Sequence, residues 1–275
     1  MARILLISSL TAASHVGATV SAFVMRRLGV DVAVLPTTLF GRHPGWGAPG
    51  GGITPPDMLR GMWAGVRDQV DDTGRGFDAL MCGYMGDEDH VALAAEIIDH
   101  LAPAHVLVDP VMGDWGREAE GRLYVPQARA EAICDHLVPR AHIVTPNSWE
   151  WRYITGSNAE PRDAPPRPLA GTRETLVTSV ERGARIGAVL FEGESTHAVM
   201  HDRYDDMPHG GGDALAADYL AQRVLGHRPA DALGASVSSV FAMMRAADAM
   251  DAGELPFVRA QSTLQSAPAL PVETS

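Results

Sequence analysis

The segment HVLVDP, residues 105–110, is an apolar run that ends in an aspartate and a proline. A short, continuous apolar run predicts a strand that is buried on both faces, as the strands of a parallel sheet are. Runs of the same kind stand at 3–9 (RILLISS), 31–36 (DVAVLP), 78–82 (DALMC) and 141–146 (AHIVTP). These runs indicate an α/β protein, provided that helices connect the strands.

Helical patterns fill the intervals between these strands. Apolar residues recur at helical spacing in four stretches, 15–30, 55–72, 87–101 and 126–138. The third stretch opens with acidic residues, which suit the positive end of a helix dipole. Alternation of strands and helices predicts a mostly parallel sheet that is covered by helices on both faces.

The pattern changes after residue 171. Three strands follow with short links, TLVTSV (175–180), IGAVLF (186–191) and HAVMH (197–201). The link EGES predicts a hairpin between the last two strands, and therefore an antiparallel edge on the sheet. Two helices, at 213–225 and 229–250, complete the pattern. We expect a single domain over 1–255 and a weakly ordered C-terminal tail over 256–275.

Composition narrows the classes of function. The chain has 275 residues, 22 basic against 34 acidic, and a net charge of -12, which argues against a nucleic-acid-binding surface. Two cysteines, Cys82 and Cys134, suit a reducing compartment better than a disulfide framework. No run reaches the length of a membrane span and no signal peptide is evident, so we expect a cytoplasmic protein without a membrane partner.

A glycine-rich loop precedes the first of the two final helices. In PHGGGDALAADYL (208–220), Gly210, Gly211 and Gly212 stand directly before Asp213. Successive backbone N–H groups at a helix N-terminus can bind phosphate, and a carboxylate beside them can take a proton from an attacking alcohol. Asp213 can instead cap the helix, and on this stretch alone capping is the simpler interpretation. The P-loop pattern is absent.

Two further polar clusters follow strands. Asn147 and Glu150, in TPNSWE, share a helix face and can hold a hydrated Mg²⁺, or they form a capping arrangement with Asn147 as the cap. Asp109 and Asp114, in VDPVMGD, can orient Mg²⁺ or a substrate, or they belong to a turn. All three clusters are predicted at the carboxyl edge of one sheet. A metal site, an anion cradle and a base at one edge favour phosphoryl transfer to an alcohol.

The order of these motifs resembles the pyridoxal kinases of the ribokinase-like superfamily over about residues 3 to 250. The segments that carry the resemblance are GYMG, DPVMGDWGREAEGRLYVP, IVTPNSWEWRYITG, LVTSV and GGGDALAA. Asn-x-x-Glu and Gly-x-Gly-Asp mark the superfamily, whereas GYMG and DPVMGD…YVP are more particular to the pyridoxal kinases. The resemblance implies a three-layer α/β/α fold without a separate lid domain, and a homodimer. It also implies ATP- and Mg²⁺-dependent phosphorylation of the 5′-hydroxyl of pyridoxal, with pyridoxine and pyridoxamine as related substrates.

The resemblance also implies roles for individual positions. Asp213 corresponds to the general base, and the amides of Gly210, Gly211 and Gly212 to the anion hole. The positions that match ATP-binding residues are Asp109, Asp114, Tyr124, Thr145, Asn147, Thr178 and Ser179. The metal would be placed by Glu150, Asn147 and Asp109. The positions that match contacts to the vitamin are Ser9, Val16, His43 and Tyr84. Read without the family, Ser9 can be a strand-terminal hydroxyl, and Tyr84 can belong to the core.

The sequence departs from the family pattern in three places. In FGRHPGW, the residues Gly41, Arg42 and Pro44 replace the family's Ser, Asn and Thr, and Ala18 replaces its Asn. The proline-rich stretch 159–172 takes the place of a helix and is not expected to be helical. These changes keep two alternatives open. One is a kinase for another hydroxymethyl heteroaromatic, such as the pyrimidine of thiamin synthesis, and the other is a binding protein with little catalysis.

Overall fold

The computed structural model describes residues 1–115, 121–157, 161, 169, 171–204 and 208–275. The strands are β1 (Arg3–Thr11), β2 (Asp31–Phe40), β3 (Gly51–Ile53), β4 (Ala79–Cys82), β5 (His105–Val108), β6 (Gly113–Trp115), β7 (Gly121–Leu123), β8 (Ile143–Val144), β9 (Glu174–Arg182), β10 (Arg185–Glu192), β11 (Ser195–Asp202) and β12 (Glu273–Thr274). The α-helices are α1 (Ala18–Arg27), α2 (Pro56–Thr73), α3 (Glu88–Leu101), α4 (Gln127–Ala132), α5 (Ser148–Thr155), α6 (Gly211–Val224), α7 (Pro229–Ala249) and α8 (Thr263–Ser266).

Ten of these strands form one sheet, in the order β12-β11-β10-β9-β8-β5-β4-β1-β2-β3. The six strands from β9 to β2 in this order pair in parallel. Pairing becomes antiparallel at both ends, from β9 to β12 and between β2 and β3. The predicted parallel sheet with an antiparallel edge is therefore confirmed, and β10 and β11 form the predicted hairpin.

The central strand β1 shows why helices cover both faces. Ile4 and Leu6 belong to the core cluster shared with α1, α6 and α7, whereas Leu5 and Ile7 belong to the cluster shared with α2 and α3. All four side chains are at most 1% exposed. Alternate residues of a strand point to opposite faces, so a continuous apolar run needs two covered faces. The three-layer α/β/α arrangement follows from this burial.

The C-terminal residues differ from the expectation of a weakly ordered tail. Leu264 in α8 is only 3% exposed, and the backbone N–H of Leu270 donates to the hydroxyl of Ser238 on α7. Strand β12 then pairs with β11 and extends the sheet. Residues after 255 thus contribute to the packing of the domain, which the low helical and strand propensity of the tail does not indicate.

Three other sequence predictions concern the cysteines, membrane-spanning helices and the proline-rich stretch. Cys82 and Cys134 are both free thiols. Among the described residues, no helix combines the length and the apolar character needed to cross a membrane. The proline-rich stretch 159–172 lies mostly outside the described residues, so the prediction that it is not helical stays a prediction.

Candidate active site

Glycines form the N-terminus of α6: Gly210 is the cap residue, and Gly211 and Gly212 are the first two residues of the helix. Gly210 has a φ of 101°, and a Cβ atom there would lie 2.2 Å from the carbonyl oxygen of His15, so the position requires glycine. Within the part of the chain that the structure describes, no side chain caps the helix. Gly210, Gly211 and Gly212 line a cleft of about 440 Å³. Their free backbone N–H groups and the positive end of the helix dipole can bind an anion in this cleft.

Asp213 points away from the end of its own helix. It is the third residue of α6, yet its Oδ2 accepts a hydrogen bond from the backbone N–H of Gly17, 2.9 Å away, in the loop before α1. The interpretation of Asp213 as a helix cap is therefore wrong. Burial raises the pKa of Asp213, and the Gly17 N–H opposes that rise. A buried carboxylate with a raised pKa beside an anion site is suited to take a proton.

Gly17 is a site residue that the motif analysis did not single out. It has a φ of 57°, and a Cβ atom there would lie 2.3 Å from Oγ of Ser9. Glycine lets the backbone pass this close to the end of β1, and the N–H of Gly17 can then reach Asp213. The sequence signal was available, since HVGAT places a glycine, an unfavourable residue for a helix, within the stretch 15–30 that was predicted to be helical.

The start of α5 is a complete capping box. Oδ1 of Asn147 accepts from the N–H of Glu150, and Oε2 of Glu150 accepts from the N–H of Asn147, both at 2.9 Å. The capping interpretation of this pair is confirmed. Oε1 of Glu150 also accepts from the N–H groups of Met112 (2.8 Å) and Gly113 (3.3 Å). Nδ2 of Asn147 donates to the carbonyl of Gly113 at 2.8 Å. The box thereby fixes the segment that leads into β6.

Burial perturbs two carboxyl groups at this edge of the sheet, Glu150 and Asp109. Glu150 is 2% exposed, and burial raises its pKa to about 7. The pKa of Asp109 lies well above its ordinary value because of burial and of the charges of Glu150 and Asp213, while Thr145 opposes the rise. Acids whose ionisation is suppressed by burial and by neighbouring negative charge are stabilised as carboxylates by a nearby cation.

Strands β6 and β7 form a separate two-stranded hairpin that the sequence did not predict. Gly113 and Gly121 lie against the indole of Trp149, where Cβ atoms would approach the ring to 2.0 Å and 1.8 Å. Asp114, on β6, lines the cleft, and burial raises its pKa. Trp149 therefore fixes the hairpin, which places Asp114 at the cleft.

Tyr124 follows the hairpin. The residue is 51% exposed overall, but burial of its hydroxyl raises its pKa well above the ordinary value. The charges of the neighbouring acids Glu150, Asp109 and Asp114 raise the pKa further. The backbone N–H of Tyr124 donates to the carbonyl of Met112 at 3.0 Å. The phenol therefore stays protonated near neutral pH and can donate a hydrogen bond to an anion.

Thr178 and Ser179 lie where β9 departs from regular pairing. The register between β9 and β10 shifts between Gly187 and Val189, and Ser179 has a φ of 56°. Both hydroxyl-bearing residues line the cleft. A bulge re-aims the side chains of a strand, and a left-handed backbone is costly for serine, so the strain is consistent with a functional position.

One wall of the cleft is aromatic and was missed from the sequence. The ring of His201 on β11 stacks on Phe241 of α7 with centroids 4.4 Å apart, and Tyr204 lies 5.9 Å from the same ring. All three residues line the cleft. Such a wall suits a planar ligand group. The three residues come together only through packing of α7 on the sheet, which no local motif indicates.

Ser9 and Val16 lie beside the two glycines that flank Asp213 in space, Gly17 and Gly210. Ser9 is 9% exposed at the end of β1, beside Gly17. Val16 is half-buried, and its Cγ1 atom lies 3.6 Å from where a Cβ atom on Gly210 would stand. The structure therefore brings both predicted acceptor-contact residues next to the loop that holds Asp213.

His43 and Tyr84 lie at the same edge of the sheet. His43 is half-buried, and its ring stacks on that of His209 with centroids 4.4 Å apart. Burial lowers the pKa of His43, and the charge of His209 lowers it further. Tyr84 packs against a small cluster that contains Met112 and Val125. Core packing thus accounts for part of the Tyr84 ring.

Known proteins share both the sequence and the fold. The family model described as phosphomethylpyrimidine kinase matches residues 64–257. A pyridoxal kinase PdxY from Leifsonia xyli subsp. xyli is 31% identical over 265 residues, which cover 92% of this chain and 91% of the relative. The corresponding protein of Rubrobacter xylanophilus is 32% identical over 287 residues, with 97% and 94% covered. The chain belongs to the pyridoxal kinases of this family.

A solved structure extends the comparison to the whole fold of this pyridoxal kinase family member. The structure is that of a pyridoxal kinase from Leishmania donovani in complex with ADP and pyridoxamine. It matches with a TM-score of 0.85 at 19% identity, and each chain is covered completely. At this identity the similarity shows the ribokinase-like fold.

Proposed function

We propose that this chain transfers the γ-phosphoryl group of ATP to the 5′-hydroxyl of pyridoxal, with Asp213 as the general base. The carboxylate of Asp213 carries the proposal, because it is held by Gly17 beside an uncapped glycine N-terminus instead of capping α6. Pyridoxine and pyridoxamine carry the same hydroxymethyl group and are proposed as further acceptors.

Asp213 would act on the proton of the acceptor alcohol. A primary alcohol is a weak nucleophile at neutral pH, and a carboxylate within hydrogen-bond reach can accept its proton as the bond to phosphorus forms. Oδ2 of Asp213 already accepts from Gly17, which leaves Oδ1 for the alcohol. The raised pKa makes the carboxylate a stronger base than an exposed aspartate. Such a base contributes roughly 10²–10⁴-fold to a rate.

The N–H groups of Gly211 and Gly212 would stabilise the negative charge on the transferring group. Hydroxyl groups of Thr178 and Ser179, which line the same cleft, would donate to the ATP phosphates, as would Tyr124. Asp114, Thr145, Asp109 and Asn147 complete the proposed ATP site. The aromatic wall supports the binding of a planar base at the far end of the cleft.

Asp109, Glu150 and Asn147, at the same edge of the sheet as the cleft, fit a magnesium ion. Asp109, Glu150 and Asn147 supply the oxygen donors that Mg²⁺ prefers, and the raised pKa values of the two acids mean that a cation would favour their ionised forms. Among the described residues, no three acidic, histidine or cysteine side chains form a ready-made metal site. That is compatible with Mg²⁺, which keeps several waters and binds substrate phosphates. When bound, it would neutralise charge on the phosphates.

On the acceptor side, we propose that Ser9, Val16, His43 and Tyr84 contact the ring of the vitamin. Ser9 and Val16 adjoin the Asp213 loop, and His43 and Tyr84 come from neighbouring loops at the same sheet edge. Ser9 can donate to a ring nitrogen or a phenolic oxygen. Tyr84 retains a partly exposed ring that can stack on a pyridine.

A substrate panel tests this proposal. Purified protein would be incubated with MgATP and pyridoxal, pyridoxine, pyridoxamine or hydroxymethylpyrimidine, and ADP release would be measured, with the absorbance of the aldehyde product as a second signal. We expect turnover with pyridoxal. The family model bears the name of a pyrimidine kinase, so turnover of hydroxymethylpyrimidine alone would favour that activity. Tight binding of pyridoxal without any product would favour a binding protein.

We also propose a cytoplasmic homodimer. The dimer rests on the family resemblance and is supported by the free edge strand β3, where Ile53 is 47% exposed. Light scattering coupled to size-exclusion chromatography would measure the molar mass. A mass of one chain, 29.3 kDa, across micromolar concentrations would contradict the dimer.

A further inference from the structure

Two histidine rings join separate loops at the mouth of the cleft. The rings of His43 and His209 lie with centroids 4.4 Å apart and an interplanar angle of 26°. His209 directly precedes Gly210 and lines the cleft, whereas His43 lies in the loop between β2 and β3. The stack therefore connects the glycine-rich loop 210–212 to the loop that is proposed to contact the acceptor.

The loop that carries His43 is held on both of its sides. On the β1 side, the N–H of His43 donates to the hydroxyl of Ser14, a buried residue, at 3.1 Å. Inside the loop, Nδ1 of His43 accepts from the N–H of Gly45 at 3.1 Å. On the α6 side, a Cβ atom on Gly45 would stand 3.6 Å from Nε2 of His209. The tight turn at Gly45 thus lies against the His209 ring as well as against His43.

This support matters because the loop has few buried side chains of its own. Most of the loop is exposed, as are Arg42, Gly45 and Trp46. Holding such a loop in one place requires contacts that offset its conformational entropy. The stacking of His209 on His43 supplies one such contact.

We propose that His209 is a positioning residue, whose ring holds His43 and its loop against the acceptor through stacking. His209 would set the affinity for pyridoxal and have little influence on the chemical step. The inference rests on the proposed function for the identity of the acceptor, but the holding of the loop by His209 can be measured without any substrate.

The first test measures the loop in the free protein. Hydrogen exchange would be followed by mass spectrometry in peptides covering residues 40–47 for wild type, His209→Ala, His209→Phe and His209→Asn. We expect roughly three- to tenfold faster exchange in His209→Ala, in line with the strength of an aromatic pair. Phenylalanine should restore slow exchange because it keeps a stacking ring, whereas asparagine should not. His227→Ala, an exposed histidine after α6, is the matched control and should leave the loop unchanged.

The second test measures the consequence for the acceptor. In His209→Ala the KM for pyridoxal should rise roughly three- to tenfold, while kcat and the KM for ATP stay within about twofold. His209→Phe should return the KM for pyridoxal to near the wild-type value. A general structural defect would lower kcat and change both KM values together, so this split distinguishes positioning from damage.

Several results would overturn the inference. Unchanged exchange of the loop in His209→Ala would show that the stack does not hold it. Rescue by asparagine and not by phenylalanine would assign a hydrogen bond in place of stacking. A higher KM for ATP with an unchanged KM for pyridoxal would assign His209 to the nucleotide. Failure of the wild type to phosphorylate pyridoxal would instead contradict the proposed function, and the exchange test would still judge the stack.

Discussion

The N-termini of α5 and α6 stand at the same edge of the sheet, and they use their first polar residues in opposite ways. At α5, Asn147 and Glu150 satisfy each other's backbone N–H groups in a closed capping box. At α6, none of the described side chains caps the helix, and Asp213 reaches across to Gly17 in another loop. One end is closed by its own side chains, and the other is left open.

The difference separates a helix end whose N–H groups are satisfied by its own side chains from one whose N–H groups stay open to an anion. A capping box satisfies N–H groups that an anion would otherwise bind, and the bonds from Glu150 to Met112 and Gly113 tie α5 to its neighbour. The glycines of α6 leave their N–H groups free for a ligand. A helix start with a polar residue at the third position is thus ambiguous in sequence, and the direction of the side chain resolves it.

Replacement of Asp213 by asparagine should give the largest effect on activity. The amide keeps the shape of the side chain but cannot accept the alcohol proton, so we expect kcat to fall by roughly 10²–10⁴-fold. The melting temperature should not fall by more than a few degrees, since an ionised carboxylate is no longer buried. ADP release and thermal unfolding would be measured on the same preparation. Turnover within tenfold of wild type would contradict the role of Asp213 as base.

Much of this site could be predicted because it depends on strand ends. Buried parallel strands show as continuous apolar runs, and their carboxyl ends meet, so Asp109, Asn147 and Asp213 were expected at one edge. The direction of a side chain is not encoded locally. Whether Asp213 caps α6 or faces Gly17 depends on a loop almost 200 residues earlier in the chain.

The features that sequence analysis missed arise from packing between distant segments. The hairpin of β6 and β7 has short strands, and it is fixed by Trp149 lying against Gly113 and Gly121. The aromatic wall joins β11 to α7, and β12 joins the tail to β11. Each depends on tertiary contacts that override weak local propensity.

Alanine substitutions at the glycines that begin α6 should distinguish a position where the backbone requires glycine from one where it does not. Gly210→Ala places a methyl group 2.2 Å from a carbonyl oxygen at a φ of 101°, so we expect a loss of more than about 3 kcal/mol in unfolding free energy. At Gly212 a methyl group meets nothing within 4 Å, and stability should be kept. Chemical denaturation would measure both variants. Equal stability of the two would contradict the observed constraint at Gly210.

The pH dependence of the unfolding free energy should show the titration of Glu150 in the capping box of α5. Its pKa is about 7 in the folded protein against 4.5 for the ordinary group, so the folded state binds more protons between these values. The contribution of Glu150 to the unfolding free energy should therefore be greatest below about pH 4.5, and fall by about 3 kcal/mol as the pH rises through 7. Denaturation would be measured with a chelator present, from pH 4.5 to 8.

The control for this measurement is Glu150→Gln, which removes the titrating group. The difference in unfolding free energy between wild type and variant should change across the pH range, since acids distant from Glu150 titrate equally in both proteins. Asp109 is the exception, because the charge of Glu150 raises its pKa and the variant lacks that charge. A difference that is constant with pH would show that Glu150 does not titrate near 7. The result would then favour an ionised carboxylate held by its three backbone N–H donors.

Removal of the cap at α5 should have the smallest effect and completes the contrast with Asp213. Asn147→Ala loses the bond to the Glu150 N–H, which costs about 1 kcal/mol, whereas Asn147→Ser keeps a capping oxygen and should restore most of it. Both variants lose the bond to the Gly113 carbonyl, so a defect common to both measures that bond alone. Asp213→Ala should show no such capping loss, because its side chain caps nothing. If Asn147→Ser recovers stability but remains tenfold or more reduced in kcat, Asn147 acts on the phosphates as well as on the helix, and α5 is not a purely structural end.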